Sequence, residues 1–186
     1  KKPCVVLGMG GFASGPGGLM AWLLRKPLLI HEQNAVAGLT NRMLSHIASE
    51  VLEAFPGTLG AKARYVGNPV RKNIIDLSSP EKRLAKHDDA LRLLVVGGSL
   101  GAVRLNELVP EAIAKIEPAA RPQIWHQTGL KNHQAAQAMY KNFAVDARVD
   151  AFVDDMAAAY DWADVVICRA GAMTVFELAA AGVASV

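Results

Sequence analysis

At 186 residues, 52% hydrophobic and 20% charged, the chain has the composition of a packed globular protein rather than a disordered one. No apolar run approaches the ~20 residues that cross a bilayer as a helix, and two cysteines, Cys4 and Cys168, are too few and too separated for a disulfide framework or a zinc cluster. The net charge of +3 is uneven: residues 1–75 carry nine Lys/Arg against three Asp/Glu, residues 76–186 eleven against fourteen.

In chain order, strands are expected at 4–7, 28–31, 50–54, 91–96, 123–126, 148–152 and 165–168. Helices are expected at 16–24, 39–47, 103–116, 134–143, 155–162 and 174–181. This alternation predicts βαβ units on parallel sheets, an α/β fold. A charged stretch opened by Ser78-Ser79-Pro80 reads as a linker over 76–90, after which a second strand–helix series begins. The chain starts close to one strand and stops where another is due, so the reading expects an internal part of a longer protein. Cysteine usage and the lack of a leader pattern make a reducing cytoplasm the expected compartment.

The basic first part suits an anionic lipid, a phosphorylated substrate or nucleic acid. There is no run of five Lys/Arg and no aromatic-interleaved basic strip, so no nucleic-acid partner is expected.

Three glycine-rich turns each follow an expected strand and precede a helix. GMGGFASGPGG, 8–18, holds six of the chain's 16 glycines. GGSLGA, 97–102, combines backbone donors with the Ser99 hydroxyl in a form suited to phosphate. RAGAMTVFE, 169–177, leads into the helix bearing Glu177. Together, at carboxyl ends of strands, they favour nucleotide binding. Gly8, Gly10, Ala13 and Glu32 also match a dinucleotide fingerprint, but Ser14-Gly15-Pro16 is expected to delay the helix, which argues against a dehydrogenase. HEQN, 31–34, and GNPVR, 67–71, add hydrogen-bonding groups and a cation, Arg71, at strand ends. Glu177 can complement a helix dipole or accept bonds from ribose hydroxyls. His126 and His133 are isolated and read as structural, and Asp154 is expected to cap the helix starting at Asp155.

These segments, with HEQNAVAGLTNRML, LLVVGGSLGA, IWHQTG and FVDDMAAAYDWADVVICRAGAMTVFELAAAG, resemble the MurG family in collinear order over nearly the whole chain. The resemblance implies a GT-B architecture of two Rossmann-like parallel-sheet domains, both incomplete here. It assigns 1–75 to the later part of an acceptor domain, facing the membrane, and 91–186 to the first part of a UDP-sugar donor domain. The implied activity is transfer of N-acetylglucosamine from UDP-N-acetylglucosamine to lipid I, making lipid II, by an inverting displacement without metal or cofactor.

By motif, the resemblance places Asn34 at the donor sugar and Arg71 and Ser99 at the diphosphate. Val153 meets uracil through its backbone, Ala172, Met173 and Thr174 lie at the phosphates, and Glu177 holds ribose. Trp22, Arg25 and Lys26 resemble the face turned to an anionic membrane, which implies peripheral attachment at the cytoplasmic side of the inner membrane. The family's amino-terminal glycine loop with its histidine, and a downstream glutamine segment, have no counterpart in these residues. No general base is assigned; His31 and Glu32 are held in reserve. The alternatives are another GT-B transferase or a UDP-sugar epimerase, or a segment that binds nucleotide without turnover.

Overall fold

The computed structural model describes residues 3–85, 87, 90–98 and 101–186. Ser99, expected at the diphosphate, lies outside the described residues. The chain divides into two compact units, Lys1–Pro69 and Val70–Val186.

In the first unit, four parallel strands stand in the order β1 (Val6–Gly8), β2 (Leu28–Glu32), β3 (Glu50–Glu53) and β4 (Arg64–Tyr65). Helices α1 (Ser14–Leu23) and α2 (Leu39–Leu44) make the first two crossovers. Leu28 and Ile30 alternate inward on β2 and pack with Val51, Ala21 and Leu44. Gly18 lets the helices close: a Cβ there would sit 2.7 Å from a Leu44 methyl.

Helix α1 begins at Ser14, not at Pro16 as expected. The Ser14 hydroxyl donates to the Gly10 carbonyl at 2.6 Å, and Ser14-Gly15-Pro16 forms the first turn instead of delaying it. Proline is tolerated there because first-turn N–H groups have no intrahelical acceptor.

The second unit starts with α3 (Lys72–Ile75) and α4 (Pro80–Leu84). There follow β5 (Arg92–Val96), α5 (Val103–Ala114), β6 (Gln123–Gln127), α6 (His133–Asn142), β7 (Arg148–Asp150), α7 (Met156–Trp162), β8 (Val165–Cys168), α8 (Ala172–Ala181) and β9 (Ala184–Ser185). The parallel sheet has the order β7-β6-β5-β8-β9. Alternation on β5 divides the core: Leu94 and Val96 join Ile74, Met156, Tyr160, Val166 and Leu178, while Leu93 and Val95 join Val109, Ile113, Ile124 and Tyr140.

The division between units falls after Pro69, earlier than the expected domain end at 75, and the expected linker carries α4. Ile74 is fully buried in the second core, and buried Arg83 donates to the carbonyls of Ser78 and Ala181 at 2.9 and 2.7 Å. Asp155, not Asp154, caps α7: its carboxylate accepts from the Ala158 N–H at 3.1 Å.

Candidate functional site

The order β7-β6-β5-β8-β9 makes β5 the strand from which the chain winds first one way, then the other. Where such a sheet reverses, the turns after neighbouring strands splay apart and leave a crevice at the carboxyl ends. That crevice is present. A cavity of about 320 Å³ lies between Val96, Gly97 and Gly98 at the end of β5 and Arg169, Ala170, Gly171 and Thr174 after β8.

Its walls suit an anion. Gly98 is left-handed, with φ of 79°, and a side chain on Gly97 would run into the Ala102 N–H at 2.8 Å. Helix α8 opens at Ala172, so the first-turn N–H groups of Ala172, Met173 and Thr174 point back along its axis toward the cavity end. The Arg169 guanidinium donates to the Gly97 carbonyl at 3.3 Å and lines the same space. Sequence reading did not single out Arg169; its place directly after β8 was the available signal.

Glu177 follows Thr174 by three residues, on the same side of α8. It is buried, at 8% exposure, and its carboxylate is held by two residues. Arg71 donates to Oε1 through Nε at 3.1 Å and Nη2 at 2.9 Å, and the Tyr160 hydroxyl donates to Oε2 at 3.2 Å. Burial, then the adjacent Glu177 charge, pushes the Tyr160 hydroxyl well above the usual range, so it remains a donor. Arg71 and Glu177, expected to serve different parts of a nucleotide, are thus in direct contact. Val153 precedes α7 with its side chain in the core.

In the first unit the HEQN segment is organised by Glu32. Oε1 accepts from the backbone and side-chain amides of Asn34 at 3.0 and 2.9 Å; Oε2 accepts from Gly38 N–H at 3.1 Å and Asn41 Nδ2 at 2.9 Å. Burial raises its pKa, but these bonds outweigh it and hold the carboxyl below the ordinary range. A carboxylate so occupied acts as a scaffold for the HEQN turn. Asn34 itself is exposed. His31 is buried with Nε2 donating to the Gly67 carbonyl at 2.9 Å. The Asn68 amide donates to the Gln33 carbonyl at 3.0 Å, so the HEQN and GNP turns are stitched together. A cavity of about 310 Å³ separates Gly10, Gly11 and Phe12 from Glu32, Asn34 and Asn41.

Trp22 is half exposed near the end of α1, beside exposed Leu19 and Leu23. Arg25 takes a left-handed conformation, φ 52°, in the turn that carries it and Lys26 back to β2. No described helix is long and apolar enough to cross a membrane. His126 is fully buried and shares a 2.9 Å hydrogen bond with the Tyr140 hydroxyl. His133 lies 3.5 Å from the Thr128 hydroxyl.

Residues 92–186 match the glycosyltransferase family 28 C-terminal domain, and residues 1–53 the family 28 N-terminal domain. The chain is 55% identical, over its whole length, to a UDP-N-acetylglucosamine–N-acetylmuramyl-(pentapeptide) pyrophosphoryl-undecaprenol N-acetylglucosamine transferase of Marinobacter nauticus, covering 52% of that protein. It is 56% identical over 98% of its length to the protein of the same name from Nitrosococcus oceani, covering 51%. The crystal structure of Acinetobacter baumannii MurG superposes with a TM-score of 0.81 at 46% identity, over 98% of this chain and 51% of that one. The chain spans about half the length of the curated relatives it matches. With both domain matches, the collinear relatives and two parallel-sheet α/β units of GT-B type, the chain belongs to glycosyltransferase family 28.

Proposed function

We propose that the chain is part of an inverting transferase that moves N-acetylglucosamine from UDP-N-acetylglucosamine to the undecaprenyl-pyrophosphoryl acceptor lipid I, forming lipid II. The observation that carries this reading is the crevice at the sheet's reversal point, where glycine turn, helix amino-terminus and Arg169 converge, with Glu177 one turn further along α8. Diphosphate charge, which grows as UDP leaves, is met there by α8 N–H groups and by Arg169, with Ser99 and Arg71 as further donors. Glu177 takes ribose hydroxyls, the Val153 backbone takes uracil, and Asn34 contacts the sugar. The acceptor's 4-hydroxyl attacks the anomeric carbon as the bond to the diphosphate breaks. Trp22, Arg25 and Lys26 form a peripheral contact with anionic lipid on the cytoplasmic side, near the lipid-linked acceptor.

Titration calorimetry of the chain with UDP-N-acetylglucosamine tests the donor half. Saturable heat, displaced by UDP and absent with GDP-mannose, is expected; equal binding of both sugar nucleotides, or of neither, would overturn the assignment.

A further inference from the structure

Glu177 reaches a ligand only if its carboxylate stays where Arg71 and Tyr160 hold it, and the two holders differ in kind. Arg71 is a half-exposed cation whose side chain is 49% accessible, so solvent and anions compete for it. Tyr160 is 1% exposed, packed between Met156, Ala159, Val166 and Leu178 in the core, and its hydroxyl has one described use: donation to Glu177 Oε2. A phenol in that core costs desolvation unless the hydroxyl is paired, so its presence there calls for a partner that needs it.

The lone-pair count defines what the pairing leaves. A carboxylate offers about four acceptor directions. Arg71 takes two on Oε1 and Tyr160 one on Oε2, so the remaining direction is on the oxygen that Tyr160 fixes. We infer that Tyr160 is a positioning residue, setting the Glu177 carboxylate so that Oε2 presents its free lone pair to one hydroxyl of a vicinal diol, the ribose of the donor nucleotide. This rests on the donor-site reading above. If Arg71 shifts toward phosphate, Tyr160 is the holder that keeps Glu177 aimed.

Tyr160→Phe preserves the ring and its packing and removes only the donor. The probes are UDP and 2′,3′-dideoxy-UDP, titrated by calorimetry into the unsubstituted chain and into the variant, with a thermal melt of each. The unsubstituted chain should prefer UDP. In the variant, UDP affinity should fall about fivefold, the weight of one hydrogen bond, with dideoxy-UDP unchanged and the melt still cooperative. Glu177→Gln should erase the ribose preference, and adding Tyr160→Phe to it should cost nothing more. A merely structural role would weaken both nucleotides together, and that result, or no change in either, overturns the inference. Equal affinity of the unsubstituted chain for both nucleotides removes Glu177 from ribose and overturns it as well. No binding of UDP at all overturns the donor-site reading, and the positioning role falls with it.

Discussion

The guanidinium of Arg71 places Nε and Nη2 on one oxygen of Glu177, 106 residues later, at 3.1 and 2.9 Å, while the other oxygen faces Tyr160. Arg71 stands two residues after the unit boundary, so this contact pins the start of the second unit to helix α8. On the proposed donor-site reading, a diphosphate would compete with that carboxylate for one cation.

Arg71→Ala should weaken UDP binding about tenfold, because both the phosphate donor and one holder of Glu177 are lost. Stability should also fall, by about 1–3 kcal/mol, because Arg71 is half exposed but its loss leaves the buried Glu177 carboxylate without its cation. Arg71→Lys keeps the charge but not the fork and should recover only part of the affinity. Calorimetry and urea unfolding separate the two effects; a large stability loss with unchanged affinity would make Arg71 a strut only.

Asp155→Ala should cost about 1 kcal/mol in urea unfolding, the usual weight of a side-chain cap, whereas Asp155→Asn should cost little. Asp154 is exposed and makes none of the described hydrogen bonds, so Asp154→Ala should be neutral. Equal effects at the two positions would contradict the cap assignment.

That pair of aspartates shows where reading from sequence ends. Strand β5 was legible because a continuous apolar run between polar ends has few other uses, and β8 came out at its observed bounds for the same reason. Adjacent acidic residues before a helix are interchangeable in pattern; only backbone geometry decides which one caps. Helices of four or five residues, such as α3 and α4, are too short to display a helical period, so the pattern assigns α3 to the first domain and α4 to the linker, although both belong to the second unit. The glycine turns and Glu177 were visible as motifs. Tyr160 was not, because its partner is seventeen residues away on another helix and no local pattern marks that contact.

Gly101→Ala should unfold the second unit more readily, by ~2 kcal/mol or more. Its φ is 77°, and a Cβ would meet the Thr128 carbonyl oxygen, which is backbone and has little room to yield. Gly17→Ala, inside α1 with nothing near its Cβ, should instead be neutral or stabilising. Chemical denaturation of both variants checks the contrast.

Acid should destabilise the protein through His126, whose complete burial pushes its pKa down to about 4 from an ordinary 6.5. The unfolded chain therefore binds the proton first: stability contributed by neutral His126 is intact above about pH 6.5, declines as pH falls, and is exhausted below about pH 4. The span corresponds to at most about 3 kcal/mol. His126→Gln should lower stability at neutral pH yet flatten the slope between those limits, measured by urea midpoints across pH. An unchanged slope would show that other groups govern acid unfolding.

The proposed membrane contact through the end of α1 predicts co-sedimentation with phosphatidylglycerol vesicles and weaker association with phosphatidylcholine. Trp22→Ala removes an amphipathic ring that is half exposed, and should reduce the bound fraction several-fold. Reversing charge at Lys26 should reduce it too, and selectively at low ionic strength, because raising salt from about 0.1 M to about 1 M shrinks the screening length to ~3 Å. Arg25 is the poorer test site, since its left-handed backbone adds a folding cost to any β-branched or bulky replacement. Binding that is indifferent to lipid charge, salt and Trp22 together would place the membrane contact elsewhere on the protein.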